Sequence, residues 1–520
     1  MTSENKIDCL FLVTKSSRKT YQKLSVTYSA IEPPTWALLL AQSTRDVGFK
    51  VNILDANAED LSEENILERI KTIKPKLICL VIYGQNVNAG TTNMSGAIHV
   101  SEYLKKNINT PISIVGSHVQ ALPVETLKKE KCIDFVFTNE GVYALRNALK
   151  IGEYSVESLS KIKGIAFRNK NEIIMNDPEK VVPNDKMDID LPGYAWDLLP
   201  YKTKPLDLYR APMWHAEYDF DKRTPYASLQ TSLGCQFGCN FCMINILNRD
   251  DNEEVGVASN YSGMRFWSTE FIIKEFDKLI DMGVKTIRIV DEMFLLNPKY
   301  YIPLCKELAN RNKDDSLRIW SYSRIDTVKR PEVLELVRKA GIKWLALGIE
   351  SGDKSVRLEV DKGKFEDVDV RKVIQKVHEA DINVMANYIF GLPGDTKETI
   401  QKTMELSLEL CTAGWNTYAA MALPGSLLYK KALDEGTKLP ENYEGYSFHA
   451  YETLPLPTDK LSAAEIISLR DEAFNKYHNY KPFLNLIEKK FGKEAADNIV
   501  EMTKIKLNRK IKGDSIPSVQ

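Results

Sequence analysis

The sequence predicts an α/β protein in three parts: a doubly wound domain over about residues 1–150, a partial six-unit (β/α) barrel over about 226–435, and a helical region over about 436–520. Two alternations of strand-like and helix-like segments carry this reading, and chemistry-bearing residues gather where the strands of the second alternation end. In the first alternation the strand candidates are IDCLFLVT (7–14), KVNILDA (50–56), KLICLVIY (76–83), PISIVGS (111–117) and DFVFTNE (134–140). Runs this apolar, separated by helical patterns, suit a parallel sheet covered on both faces. One intervening segment, PTWALLLAQSTRDVGF, has Pro34 where a helix starts and Gly48 where it is capped.

Ligands bind such sheets beyond the carboxyl ends of the strands. Those ends carry Asp55, Asn57, Tyr83, Gly84, Gln85, Asn86, Gly116, Ser117, His118, Asn139, Glu140 and Gly141. Residues 151–225 read as a connector, with a β-hairpin in IKGIAFRNKNEIIMN and prolines interrupting DLPGYAWDLLPYKTKPLDLYRAP.

The second alternation comprises YASLQTS (226–232), VKTIRIVDE (284–292), LRIWSYSRID (317–326), KWLALGIES (343–351), NVMANYIFGLPG (383–394) and WNTYAAMALPG (415–425). Between them, STEFIIKEFDKLIDMG places Phe271, Ile272, Phe276, Leu279 and Ile280 on one helical stripe, and RPEVLELVRKAG is bracketed by Pro331 and Gly341. Six such units predict an incomplete barrel with its chemistry at the strand C-termini. An aromatic loop with Tyr443, Tyr446, Phe448, His449 and Tyr451 precedes the final helices, placed to shape a pocket or to pack as a lid's own small core.

Composition narrows the function. Lys plus Arg number 70 against 71 Asp plus Glu, so no basic surplus argues for a nucleic-acid partner. Neither a signal-peptide pattern nor an apolar run long enough to span a bilayer is visible, which gives the expectation of a cytoplasmic protein without a membrane span. Eight cysteines in 520 residues are too sparse for a disulfide scaffold. Cys9, Cys79, Cys132, Cys305 and Cys411 stand alone in apolar segments and read as buried small hydrophobes.

The other three are Cys235, Cys239 and Cys242, in SLGCQFGCNFCMIN. Three close thiols after a strand suit either a zinc site, which when structural takes four protein ligands, or an iron-sulfur cluster with one iron left open. No Cys or His lies just downstream to complete a zinc site. A [4Fe-4S] cluster on these three cysteines leaves one iron free for a substrate or cofactor.

The C-x3-C-x2-C spacing resembles that of the radical S-adenosylmethionine (SAM) superfamily. The resemblance covers about residues 226–430 and implies that the open iron chelates SAM, whose reductive cleavage yields a 5′-deoxyadenosyl radical, with the electron coming from a flavodoxin- or ferredoxin-like donor. Further tokens resemble the family's SAM contacts: Asp291 and Glu292 for the methionine amine, Ser321 and Arg324 for the carboxylate, Glu350 for the ribose hydroxyls, Gly391 and Gly394 of YIFGLPGDT beside the adenine, and Phe241 packing near it. The usual Gly-Gly-Glu reads Val-Asp-Glu here, which leaves two acids as candidates for the amine.

A doubly wound domain ahead of such a barrel resembles the cobalamin-binding subclass. The resemblance implies that Tyr83, Gln85, Gly116, Ser117, His118, Glu140 and Gly141 line the corrin site or its nucleotide tail. The sequence lacks Asp-x-His-x-x-Gly, so the expectation is a cobalt without a histidine below it; His99 and His118 read as packed or solvent-bridged. The reaction implied is methylation of an unactivated carbon of a small molecule or peptide, using two SAM, one to recharge the cobalamin and one to make the radical. Tyr322, Tyr388 and Tyr418, on barrel strands, are the candidates for the substrate pocket. Three other readings stay open: a cyclisation or rearrangement without methyl transfer, a methylthiotransferase, and a non-enzymatic cobalamin sensor.

Overall fold

The structure is a computed structural model that describes residues 6–15, 17–83, 87–199, 208–211, 225–328, 330–360 and 367–517. Its first sheet is formed by β1 (Cys9–Val13), β2 (Val51–Asp55), β3 (Leu77–Ile82), β4 (Ile112–Gly116), β5 (Phe135–Phe137), β6 (Ile165–Asn169) and β7 (Glu172–Met175). The spatial order is β2-β1-β3-β4-β5-β6-β7. The first five strands are parallel, and β6 and β7 add antiparallel at the edge. The hairpin placed in the connector by its sequence thus extends this sheet, because its strand pairs with the exposed edge of β5.

Alternate residues of β1 go to opposite faces, and both faces are buried. Cys9 and Phe11 join the large apolar core continuous with the barrel, whereas Leu10 and Leu12 join a second cluster with Ile78, Leu80 and Ile114. Burial on both sides explains why the strands read as continuous apolar runs rather than as alternations.

β8 (Tyr226–Leu229) is followed by an antiparallel ribbon of β9 (Ser232–Cys235) and β10 (Gly263–Phe266). The barrel continues with β11 (Thr286–Ile289), β12 (Arg318–Arg324), β13 (Ile342–Glu350), β14 (Asn383–Phe390) and β15 (Gly414–Ala419). β8, β11, β12, β13, β14 and β15 lie side by side in that order, all parallel, in a six-stranded sheet. Helices such as Thr269–Asp281 and Val370–Glu379 pack on its outside through Ile272, Phe276, Ile374 and Val377.

Helices Ala463–His478, Lys481–Phe491 and Lys493–Thr503 close the chain. The segments before and after them reach back to the first domain. Ser447 Oγ donates to the Thr20 carbonyl at 2.9 Å, Gln22 Nε2 donates to the carbonyls of His449 and Asn508, and Tyr443 OH donates to Glu130 at 2.7 Å. Among the described residues no helix is long and apolar enough to cross a membrane.

Candidate active site

The carboxyl ends of the two parallel sheets face one cavity of about 590 Å³. Cys235, Cys239 and Cys242 all line it. Pairing of β9 with β10 fixes the register of Cys235 opposite Gly263. Gly234 permits this: its φ is +82°, and a Cβ there would meet the Gly263 carbonyl and Asn248 Nδ2. Asn245 pins the loop from below, its Oδ1 accepting from Cys235 N at 2.8 Å and its Nδ2 donating to the Phe237 carbonyl at 2.9 Å.

Each sulfur is met by an N–H donor. Phe237 N lies 3.5 Å from Cys235 Sγ, Arg324 Nη1 lies 3.7 Å from Cys239 Sγ, and Asn88 Nδ2 lies 3.6 Å from Cys242 Sγ. Burial pushes the thiols of Cys235 and Cys242 up to about 12, so at neutral pH they ionise only against a positive centre. Among the described residues no three His, Cys, Asp or Glu side chains converge as a single ion requires. Three soft donors on one open wall, each with an N–H aimed at it, suit a cubane cluster.

The two acids at the end of β11 part company. Asp291 is buried and saturated: its carboxylate accepts from Thr231 N at 2.6 Å, Thr231 Oγ1 at 2.5 Å and Ser232 Oγ at 2.7 Å, fastening the ribbon to the barrel. Glu292 lines the cavity, where burial pushes it up to about 7 against the pull of the Arg288 guanidinium. Of the two candidates left by the sequence, Glu292 is therefore the one presented to a ligand.

Along β12, Trp320, Tyr322 and Arg324 line the cavity together. Ser321, of opposite strand parity, turns outward; its hydroxyl is buried without a hydrogen-bond partner and does not line the cavity. Ser323, one pleat further on, reaches the cavity at the strand end. Arg324 is held by Asp326 through two 2.6 Å contacts, and its guanidinium lies 3.8 Å from the Phe237 ring centroid.

Glu350 lines the cavity at a β-bulge, with φ +65°. That left-handed backbone costs about 1–3 kcal/mol in a non-glycine residue, and strain of this kind collects at functional sites. Gly348 accommodates it, since a Cβ there would meet the Glu350 carboxylate. Burial pushes Glu350 up to about 7, while Arg324 opposes the rise. Phe241 lines the cavity and packs with Cys239 and Tyr418 on Val356, Ile389 and Leu392.

Gly391 and Gly394 do not line the cavity. Their φ values of +85° and +84° shape a turn whose Gly391 and Leu392 N–H groups donate to Asp395. Tyr322 and Tyr418 do line it, but Tyr388 does not. Met385, Asn387 and Ile389 take the inward positions of β14, so Tyr388 faces outward onto Trp415, ring centroids 6.4 Å apart. Asn387 and Tyr388 are adjacent on one strand and cannot both face in.

The first domain meets the cavity with Thr14, Glu32, Asn57, Tyr83, Asn88, Thr92 and Asn93, among others. Of the residues expected at a corrin site, Tyr83 is there and Gln85 lies outside the described residues. The rest do not line the cavity. A Cβ on Gly116 would meet the Ile82 carbonyl, and Ser117 Oγ donates to the Val87 carbonyl at 2.7 Å. His118 pairs with Thr91 Oγ1 at 3.0 Å, packs edge-on against Tyr443, and is lowered to about 3 by burial. Glu140 accepts from Arg265 Nη2 at 2.7 Å and Val182 N at 2.6 Å, a buried pair joining the two domains. Gly141, at φ +86°, closes against Val115. His99 sits on the surface, 3.0 Å from Glu63.

One feature without a sequence signal is Arg288. It reaches from β11 into the cavity, pairs with Glu32 of the first domain and with Tyr322 OH, and lies 4.5 and 4.8 Å from the ring centroids of Trp320 and Tyr322. Tyr446, Phe448 and His449 cover the cavity from the C-terminal segment, while Tyr451 bonds the Asp514 carbonyl.

Comparison with known proteins agrees with this architecture. Residues 229–407 match the radical SAM superfamily, and residues 22–149 match the B12 binding domain. The chain is a B12-binding radical SAM protein. It is 26% identical over 424 residues to an uncharacterised methyltransferase of Pyrococcus horikoshii, covering 80% of this chain and 82% of that one. It is 23% identical to the anaerobic magnesium-protoporphyrin IX monomethyl ester cyclase of Cereibacter sphaeroides, covering 86% and 67%. The fold matches the solved radical SAM methyltransferase TsrM of Kitasatospora setae with a TM-score of 0.64 at 14% identity, over 95% of this B12-binding radical SAM chain and all of TsrM. The cobalamin-dependent radical enzyme OxsB matches with a TM-score of 0.64 at 15% identity, over 96% and 71%.

Proposed function

We propose that the protein is a cobalamin-dependent radical SAM C-methyltransferase, acting on an unactivated carbon of a small molecule or peptide. The observation that carries this reading is the single cavity onto which the three cysteines, Glu292 and Glu350 open from one side and the strand ends of the B12-binding domain from the other. When bound, the cluster and the corrin supply an electron to SAM and a methyl carrier.

This chain's residues do the rest. Cys235, Cys239 and Cys242 hold the cluster. Glu292 would accept from the methionine amine, and Glu350 would take the ribose hydroxyls. With both carboxyls near 7, they ionise fully only above neutrality or when N–H or hydroxyl donors stabilise the charge. Arg324, fixed by Asp326, holds its guanidinium beside Cys239, where it would take the SAM carboxylate. Tyr322 and Tyr418 face the substrate, and the C-terminal cover of Phe448 and His449 keeps water and stray hydrogen donors away from a radical. A flavodoxin- or ferredoxin-like protein delivers the electron.

The similarity to the cyclases supports a second reading, a radical reaction without methyl transfer. Turnover with methyl-deuterated SAM separates the two. A product carrying the labelled methyl supports methyl transfer; 5′-deoxyadenosine formed with substrate consumed and no labelled methyl in the product supports the other.

A further inference from the structure

Asn88 belongs to the B12-binding domain yet touches the cysteine loop of the barrel. It lies in the turn Val87–Ala89 after β3 and lines the shared cavity. Its Oδ1 accepts from Met243 N at 3.1 Å, and its Nδ2 lies 3.6 Å from Cys242 Sγ. The first contact fixes the second: Met243 N can only donate, so the amide oxygen must face it, and the NH2 group is then turned to the sulfur.

The turn itself is held from within the domain. Ser117 Oγ at the end of β4 donates to the Val87 carbonyl at 2.7 Å, and a Cβ on Gly90 would occupy the space of that hydroxyl. A chain of contacts therefore runs from the β4 end through Ser117, Val87 and Asn88 to Cys242. The donors on Cys235 and Cys239 come from the barrel side, so Cys242 is the thiol whose observed donor comes from the other domain.

We propose that Asn88 is a positioning residue that tunes the cluster from the B12-binding domain. Reducing the cluster adds one electron, from a one-electron donor such as flavodoxin or dithionite, and the added negative charge spreads onto the sulfurs. An N–H donor stabilises the reduced form more than the oxidised form and raises the reduction potential. Because the donor is anchored to the β3 and β4 ends, the two domains must be docked for the cluster to reach its working potential.

The inference rests on the cluster sitting on Cys235, Cys239 and Cys242, and iron content with the visible spectrum of the reconstituted full-length chain tests that first. A wild-type chain without a cluster defeats the functional reading itself. With the cluster present, the test is an EPR-monitored redox titration of wild type, Asn88→Ala and Asn88→Asp. Asn88→Asp keeps an oxygen for Met243 N at nearly the same size and replaces the donor with an acceptor.

The expected result is that both variants hold iron and that each lowers the reduced-to-oxidised ratio at a fixed potential by about tenfold, about 59 mV for a one-electron couple, with Asp the larger shift. Unchanged potentials at full iron content overturn the proposal. A measurement on the wild type covers failure of the variants to assemble a cluster: with asparagine labelled with 15N in its side chain, a nuclear coupling to the reduced cluster is expected, and its absence also overturns the proposal.

Discussion

The two sheets present their strand ends to the same cavity, but they do so with different kinds of residue. The barrel side offers groups chosen for their chemistry: three thiols, Glu292, Arg324 and Glu350. The B12-binding side offers mostly small polar groups, Thr14, Asn57, Asn88, Thr92 and Asn93, beside Tyr83 and a Glu32 that is taken up by Arg288. Its more conspicuous residues, Ser117, His118 and Glu140, are spent on holding the domain together and onto the barrel. A site that performs electron transfer must specify side chains. A site that seats a large ring system can be specified by shape.

Replacing any one of Cys235, Cys239 and Cys242 with Ser should break the barrel side alone, abolishing bound iron and reductive SAM cleavage while leaving corrin binding in place; iron analysis and 5′-deoxyadenosine assays on the same preparations check it. On the other side, Glu140→Ala leaves the buried Arg265 guanidinium uncompensated. It should cost about 3–5 kcal/mol of stability in denaturant titration, with no specific loss of corrin affinity in the fraction that folds. Corrin loss beyond the loss of folded protein would return Glu140 to the binding site.

Within the barrel, Glu292→Gln should weaken SAM binding by about 10- to 100-fold, the value of about 1.5–3 kcal/mol for a charged hydrogen bond. Asp291→Asn should instead lower stability and leave SAM affinity within a few-fold. Equilibrium binding and thermal denaturation of the pair decide which acid meets the ligand.

The acids also set a pH dependence. Burial raises Glu292 and Glu350 to about 7, and each must be ionised to bind, so SAM affinity should be flat above about pH 8 and fall by about tenfold for each pH unit well below 7 for each proton that must leave. Calorimetry from pH 5.5 to 8.5 checks the sign: affinity that improves on acidification would contradict both roles.

The smallest effect is expected from Tyr388→Phe. Its hydroxyl is buried, unpartnered and outside the cavity, so its removal should leave activity and stability nearly unchanged, whereas Tyr322→Phe strips a partner from Arg288 and should lower turnover.

The same contrast decides how much could be read from the sequence. Strand-and-helix alternation gave both sheets because burial on two faces leaves continuous apolar runs, and the cysteine spacing gave the cluster loop because few other chemistries use three thiols so placed. Strand parity was legible in principle: it separates Trp320, Tyr322 and Arg324 from Ser321, and Asn387 from Tyr388, once the inward register is known. That register comes from tertiary pairing. Gly391 and Gly394 illustrate another limit, since a glycine needed for its positive φ looks in sequence like one needed for ligand access. The Glu32–Arg288 pair and the Asn88–Cys242 contact span 256 and 154 residues and carry no local signature. Only the docking of the two domains brings them together.

If one cavity between the two domains holds both reactive groups, the cobalt and the cluster must sense each other magnetically. The most direct measurement is EPR spectroscopy of the chain purified anaerobically from cobalamin-supplied cells, with cobalt in the Co(II) state and the cluster reduced. The expected result is two spin signals broadened or split by each other, with the Co(II) signal lacking nitrogen coupling from a histidine below the metal. Two full-strength signals, each unperturbed by the other, or a cluster-loaded chain that takes up no corrin, would contradict it.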